Sequence, residues 1–172
     1  MSNSEGLLVP GSVLVKLLEH NNWANLEIIE ACSALSDQQL EARDRPGTWC
    51  LRQVLSHIVE SQAGYLSLLT QPLEARRSGR VPFEQLRGVA SESGEGLLAL
   101  AQDESGEGLN GTLRTTDGYE VEPWVVMVQV VNHATEHRRQ IAALLRSLGV
   151  TPPRLDGWAH GEATGALTQL AE

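Results

Sequence analysis

Residues 123–149 read PWVVMVQVVNHATEHRRQIAALLRSLG and carry the clearest helical pattern of the chain. Pro123 suits the first turn of a helix, where its missing N–H costs nothing, and Gly149 suits the end. Residues three and four apart form one stripe that consists of Val126, Val130, His133, His137, Ile141, Leu144 and Leu148. We therefore predict a long helix from Pro123 to Leu148 that places two histidines at consecutive core positions.

Three earlier segments also have helical periodicity. The first is predicted from Ser12, a good N-cap, to about Leu35, and Thr48 is predicted to cap a second helix from Trp49 to about Leu69. A polar loop is expected between them. The stripe of the first helix consists of Leu14, Leu17, Asn21, Ala24, Ile28, Cys32 and Leu35. The apolar face of the second consists of Leu51, Val54, Leu55, Ile58, Val59, Leu66 and Leu69.

The remaining segments complete the predicted architecture. A third helix, roughly Phe83–Ala101, is the weakest, because Gly88, Gly94 and Gly96 each lower helix stability. Asp117-Gly118 predicts a tight hairpin turn, and the tail can add a short helix across the bundle. We predict an all-α fold: an antiparallel four-helix bundle with a small hairpin before the last long helix. Residues 1–172 are expected to form one domain.

Composition excludes several classes of function. The chain has 172 residues, and its 13 basic and 22 acidic residues give a net charge of −9. Without a basic stripe, no nucleic-acid partner is expected. No apolar run reaches the roughly 20 residues of a membrane span, and MSNSEGLLVPGS lacks the basic start of a signal peptide. We expect a cytoplasmic protein that does not enter a membrane.

The two histidines of the last helix are the first candidates for metal ligands. His133 and His137 are one turn apart, so their Cβ atoms lie about 5–6 Å from each other. Both rings can then reach one ion at about 2.0–2.1 Å from each nitrogen. The alternative is that each ring is buried and hydrogen-bonded, or that the face is partly solvated. Because two unbonded imidazoles are costly to bury, the pair favours an ion.

His57 is the third candidate ligand. It lies on a stripe of small or polar residues that borders the apolar face of the second helix: Cys50, Gln53, His57, Ser61 and Gly64. This stripe could leave room for an ion in the bundle centre, although a polar outer face is the alternative. Three neutral nitrogens leave coordination positions open, as in catalytic sites. These ligands suit several divalent metals, and we expect one ion, zinc or nickel first and iron next.

Other polar residues are weaker candidates. We expect His20 to face solvent and His160 to lie in the tail without a ligand role. Asn21 falls on the core stripe, where it could orient a ligand or simply bond to backbone. Cys50 precedes His57 by two turns and Cys32 suits core packing, so a covalent cysteine mechanism is not favoured. No catalytic residue is assigned.

Two other metal-binding motifs are alternatives to a three-histidine site. HATEH matches H-x-x-E-H, the inverted zinc-peptidase signature, in which Glu136 would be the base. Five residues are a short match, and the third candidate ligand here is an upstream histidine. A di-iron carboxylate site needs two Glu-x-x-His pairs. No glutamate stands three residues before His57, His133 or His137, so that site is excluded.

Four segments together resemble the DinB (DinB/YfiT-like) superfamily. They are NNWAN (21–25), GTWCLRQVLSHIVES (47–61), NHATEHRRQIAALLRSLGV (132–150) and LDGWAHGE (155–162). The resemblance spans roughly residues 12–163 and implies an antiparallel four-helix bundle, often dimeric. It also implies a metal bound by three histidines, which correspond to His57, His133 and His137. Characterised relatives include thiol-cofactor-dependent S-transferases and a mycothiol-dependent isomerase, and the family name implies no contact with DNA.

The residues and the resemblance together lead to two hypotheses of function. The first is a metal-dependent enzyme, a thiol-linked transferase or a hydrolase, that acts on a small molecule and can use a low-molecular-weight thiol. The second is a non-catalytic metal- or small-ligand-binding stress-response protein. We also expect a homodimer formed through helix faces.

Overall fold

Six α-helices and one short hairpin form the computed structural model of the protein, which describes residues 13–76, 79–103, 105 and 107–170. The elements are α1 (Val13–Ser33), α2 (Asp37–Leu40), α3 (Leu51–Thr70), α4 (Leu86–Gln102), β1 (Leu113–Arg114), β2 (Glu120–Val121), α5 (Pro123–Ser147) and α6 (Gly157–Thr164). Short 3-10 turns span Leu73–Ala75, Phe83–Gln85 and Glu107–Leu109. The predicted all-α bundle, with its hairpin before the last long helix, is confirmed. The predicted N-cap Ser12 lies outside the described residues.

The four long helices form a closed ring. Helix α1 packs against α4 and α5, and α3 packs against the same two helices. Helix α3 is antiparallel to α5, and α1 is antiparallel to α4. The pairs α3–α4 and α1–α5 run parallel, because α4 begins at the same end of the bundle as α3, where Leu51 and Leu86 share one cluster. None of the helices in the described part of the chain has the length and apolar character that crossing a membrane requires.

Two hydrophobic clusters fill the bundle, one toward each end. The larger is built around Ile28, Leu51, Leu55, Leu86 and Ile141, and the smaller around Leu18, Leu69, Leu97, Met127 and Val130. Leu17, which we predicted on the core stripe of α1, is 45% exposed. Val15 and Leu18 are buried in its place, so the buried stripe of this helix is rotated from the predicted one at its N-terminal end.

The segment between α1 and α3 differs from the predicted loop and cap. Ser36 caps the short helix α2, with its hydroxyl accepting from the backbone N–H of Gln39 at 3.3 Å. Thr48 does not cap α3, because its hydroxyl donates to the carbonyl oxygen of Arg45 at 2.7 Å. Cys50 is the N-cap instead, and its N–H donates to the side chain of Gln53 at 2.9 Å. The hairpin turn is as predicted, with Gly118 at φ 94°.

The glycines of α4 have a packing role that offsets their weak helix propensity. A Cβ at Gly94 would lie 2.6 Å from both Cγ and Oδ1 of Asn22 on α1. A Cβ at Gly96 would lie 2.6 Å from Cδ2 of Leu66 on α3. These two glycines therefore let α4 approach both neighbours closely. Gly88 faces open space, so its low helix propensity has no such compensation.

We expect Gly94→Ala to destabilise the protein by about 1–3 kcal/mol, because the amide of Asn22 has to move or the helices have to separate. The matched control is Gly88→Ala, which should stabilise the protein by about 0.5–1 kcal/mol through helix propensity alone. Urea unfolding followed by circular dichroism measures both. Equal effects of the two substitutions would show that Gly94 does not set the α1–α4 distance.

Candidate metal centre

The three predicted ligands come together where α3 crosses α5. His57 projects from α3, and His133 and His137 project from α5 one turn apart. One ring nitrogen from each residue lies within 4.8 Å of the other two. The Nε2 atoms of His57 and His133 are 2.9 Å apart. The ring centroids are separated by 4.5–4.9 Å.

The cluster lies at the edge of the core and not in its centre. All three histidines are only partly buried. We predicted that His133 and His137 lie at buried core positions. This prediction is wrong, because Ala134 and Arg138 are the buried residues in this part of α5. The stripe on α3 does border the apolar face, since Gly64 is exposed and Ser61 is half-buried. It opens to a cavity at the side of the bundle, so the expected room in the bundle centre is not where the site lies.

Polar side chains one turn further along each helix contact the outer ring nitrogens. Gln140 Oε1 lies 3.2 Å from Nδ1 of His137, and Ser61 Oγ lies 3.4 Å from Nδ1 of His57. An amide oxygen can only accept, so this contact is a hydrogen bond in the tautomer that carries the proton on Nδ1 of His137. In that tautomer Nε2 of His137 carries no proton and has a free lone pair, which is the form that binds a metal.

The local environment favours the neutral form of two of the rings, those of His57 and His133. The pKa of His133 is lowered to about 4, first by burial and then by the neighbouring His137 and His57, against an opposing effect of Glu136. The pKa of His57 is also lowered, first by burial and then by His137, while Glu60 opposes the shift. At neutral pH these two imidazoles are therefore uncharged, and neutral imidazole is the form that binds a metal.

The chemistry of this donor set fits a divalent ion. Two nitrogens that bind one ion at about 2.0–2.1 Å each lie no more than about 4.2 Å apart. The Nε2 atoms of His57 and His133 already meet that limit, at 2.9 Å. The ligand nitrogen of His137 lies within 4.8 Å of the other two. The cluster could therefore hold an ion of the kind that histidine nitrogens prefer.

Aromatic rings stand on two sides of the cluster. The Trp49 ring lies 4.7 Å from the ring of His57, edge to face, and 6.3 Å from that of His137. The Tyr65 ring lies 5.9 Å from that of His133, also edge to face. These rings limit how the histidines can turn.

A cavity of about 360 Å³ lies near the cluster, although none of the three histidines is among its lining residues. Ser61 and Tyr65, which contact His57 and His133, also line this cavity. Its far wall is the turn of the hairpin, residues 115–117. Arg76 ties that wall to the bundle, since its guanidinium donates to the carbonyl oxygens of Gln71 and Arg114. The volume of this cavity, about 360 Å³, falls within the range of small-molecule pockets.

A buried polar layer lies at the level of the site and connects all four long helices. Arg138 is 4% exposed and donates to Oδ1 of Asn21 at 2.8 Å and of Asn25 at 2.6 Å. Gln62 on α3 accepts from Asn25 at 2.8 Å and donates to Ala90 O and Ser93 Oγ on α4. Of this layer, only Asn21 was predicted on a core stripe from the sequence. Arg138 follows Ala134 by four residues and precedes Ile141 by three, so it shares a helix face with both. This spacing could have identified Arg138 as a buried residue.

The remaining candidates lie elsewhere. Asn21 neither touches the histidines nor bonds to backbone, as its partners are Gln62 and Arg138. His20 is only partly exposed, because its Nε2 lies 2.8 Å from the carbonyl oxygen of Leu155. The rings of His20 and Trp23 pack against His160 of α6 at 5.5 and 5.0 Å. The expectation that His20 faces solvent is therefore wrong.

Glu136 and the cysteines contribute little to the cluster. Glu136 is exposed on α5. Cys32 is fully buried, and burial raises the pKa of its thiol to about 12, so it stays protonated and unreactive. Cys50 is buried at the start of α3.

Similar proteins support the fold. A DinB-like protein from Bacillus cereus ATCC 10987 is 21% identical with a TM-score of 0.65, covering 82% of this chain and 94% of that one. A DinB-like protein from Bacillus subtilis is 14% identical with a TM-score of 0.65, covering 82% and 97%. A proposed DinB-family member from Exiguobacterium sibiricum 255-15 is 15% identical with a TM-score of 0.68, covering 86% and 100%. At these identities the likeness shows the fold alone.

Sequence comparison identifies the family. No curated protein matches the chain significantly. The sequence profile of the DinB family matches residues 1–169, which is almost the whole chain. The bundle, the partly buried histidine cluster and this match lead to one conclusion: the chain belongs to the DinB family.

Proposed function

We propose that His57, His133 and His137 hold one divalent metal ion, and that the protein is a metal-dependent enzyme acting on a small molecule in the adjacent cavity. The observation that carries the proposal is that Ser61 and Tyr65 line this cavity and also contact two of the three histidines. A substrate in the cavity would lie next to the cluster. Three neutral ligands leave coordination positions for it, as catalytic sites do.

A thiol-linked transfer or a hydrolysis suits this arrangement best. When bound, the ion supplies positive charge that favours the deprotonated form of a thiol or of water. Ser61 and Gln140 orient the rings of His57 and His137, while Trp49 and Tyr65 restrict access from two sides. Neither cysteine is placed to act as a nucleophile, since Cys32 is held protonated and Cys50 is buried. The reacting nucleophile is therefore expected to come from outside the chain.

The first prediction from this proposal is metal binding at one ion per chain. Native mass spectrometry before and after chelation should show the ion leaving. His57→Ala and His133→Ala should each lower the affinity by more than about tenfold, and Gln140→Ala by about 10–100-fold, as expected for a residue that orients a ligand. His160→Ala is the matched control and should keep full occupancy, because this histidine packs against Trp23. Full occupancy in both ligand variants would refute the assignment.

The second prediction concerns an external thiol. Protein loaded with cobalt and titrated with small thiols should develop a sulfur-to-metal charge-transfer band in the visible and near-ultraviolet spectrum. The band should vanish in His137→Ala. It should persist in Cys50→Ser, which would show that the sulfur does not come from the protein. If no thiol changes the spectrum, the thiol-linked transfer is rejected. If ester and amide substrates are also left intact, the protein is a non-catalytic binding protein.

We also propose a homodimer. Large apolar side chains remain exposed on α1 and α5, which pack side by side in the same direction: Val13, Leu17, Trp124, Val125 and Val128. Leu18 of α1 packs in one cluster with Val126 and Met127, so these exposed residues belong to the same end of the bundle. Apolar groups exposed together are typical of a protein interface. A second copy of the chain, presenting the same face, would cover them.

Sedimentation velocity at micromolar concentration should therefore give about twice the chain mass of 18.7 kDa. Val128→Asp should shift the protein to monomer, since a dimer would bury the new charge. Leu73→Asp is the matched control in the 3-10 turn after α3, where another exposed apolar side chain lies outside α1 and α5, and it should leave the dimer intact. A wild-type protein that sediments as a monomer would contradict the proposal.

A further inference from the structure

A second cavity, of about 430 Å³, lies between the C-terminal half of α5 and the segment 152–156. His20 of α1 closes one side of it. This cavity shares no lining residue with the 360 Å³ cavity, and none of His57, His133 and His137 lines it, so it is separate from the candidate metal centre. Its volume is that of a pocket for a metabolite-sized molecule and exceeds what a bare inorganic ion needs.

The walls of this cavity concentrate positive charge in an acidic protein. Four of the chain's 13 basic residues line it: Arg138, Arg139, Arg146 and Arg154. Asp156 is the acidic residue among the lining residues. Arg154 is paired with Asp156 at 3.8 Å and with Glu162 at 3.2 Å. Within the described ranges, no carboxylate lies within 4.0 Å of the other three guanidinium groups.

Arg138 is a buried cation in the wall of this cavity that lacks a partner of opposite charge among the residues that the structure describes. Only 4% of this residue is exposed, and its side chain donates hydrogen bonds to three neutral residues: Asn21, Asn25 and Thr135. A buried cation with only neutral partners is unfavourable, because dipoles replace its hydration incompletely. An anion in the cavity would supply the missing opposite charge. The polar layer holds this guanidinium in place before any ligand arrives.

We propose that this cavity binds a small organic anion through a carboxylate or phosphate group. The planar guanidinium fork matches the oxygens of both groups. Ala142, Pro152 and Pro153 also line the cavity, and their apolar atoms would contact the carbon skeleton of the ligand. The proposal does not depend on a metal at the histidine cluster.

Isothermal titration calorimetry of the full chain at constant ionic strength tests this site, with inorganic phosphate and succinate as separate probes. We expect saturable binding of at least one probe, and the probe that binds identifies the head group. Arg139→Gln and Arg146→Gln should each weaken binding by about tenfold, the effect of losing one charge-assisted hydrogen bond. Both residues are exposed on α5, so these variants are expected to fold.

Two controls separate this site from other causes. Arg87→Gln removes an exposed arginine of α4 that pairs with Glu30, and binding should be unchanged. His133→Ala removes a candidate metal ligand, and binding should again persist. The proposal is overturned if neither probe gives saturable heat, or if Arg87→Gln weakens binding as much as Arg146→Gln does. It is also overturned if binding is lost in His133→Ala but kept in Arg139→Gln and Arg146→Gln.

Discussion

The buried guanidinium of Arg138 and the amides around it are the constraint on which the arrangement of the bundle depends. Asn21 and Asn25 of α1 accept from Arg138, and Gln62 connects them to α3 and α4. A buried donor or acceptor that loses its partner costs about 1–3 kcal/mol. A shift of any one helix along its axis would break several of these bonds at once. The layer therefore fixes the relative heights of the four helices.

The candidate metal centre inherits its geometry from that layer. Ser61 and His57 lie within five residues of Gln62 on α3, and His137 is next to Arg138 on α5. Apolar clusters above and below tolerate some sliding, because dispersion forces have little directional preference. Hydrogen bonds of 2.6–2.8 Å from a planar guanidinium do not tolerate sliding, because they depend on direction. The level at which α3 meets α5, and hence the 2.9 Å approach of His57 to His133, is set by this directional layer.

Helix α5 thus serves two different chemistries on neighbouring faces. One face carries His133 and His137 of the histidine cluster, and the next presents guanidinium groups to a cavity beside the segment 152–156. Arg138 belongs to both the internal layer and the second cavity. Close approach of α4, made by Gly94 and Gly96, completes the enclosure of the layer from the opposite side. Elements that looked weak in helix propensity are therefore the ones that allow tight packing.

Periodicity in the sequence was enough to predict the four long helices, the hairpin turn at Gly118 and the pairing of His133 with His137, because these follow from local rules of spacing and backbone conformation. It could not give the burial depth of His133 and His137, since two adjacent stripes on α5 compete for the centre and only the neighbouring helices decide between them. The cap of α3 at Cys50, the burial of Leu18 in place of Leu17, and the parallel course of α3 and α4 were likewise decided by packing. The polar layer and the arginine-lined cavity bring together residues more than 100 positions apart, such as Asn21 and Arg138. Contacts of that kind depend on the tertiary structure, because no spacing rule links residues on different helices.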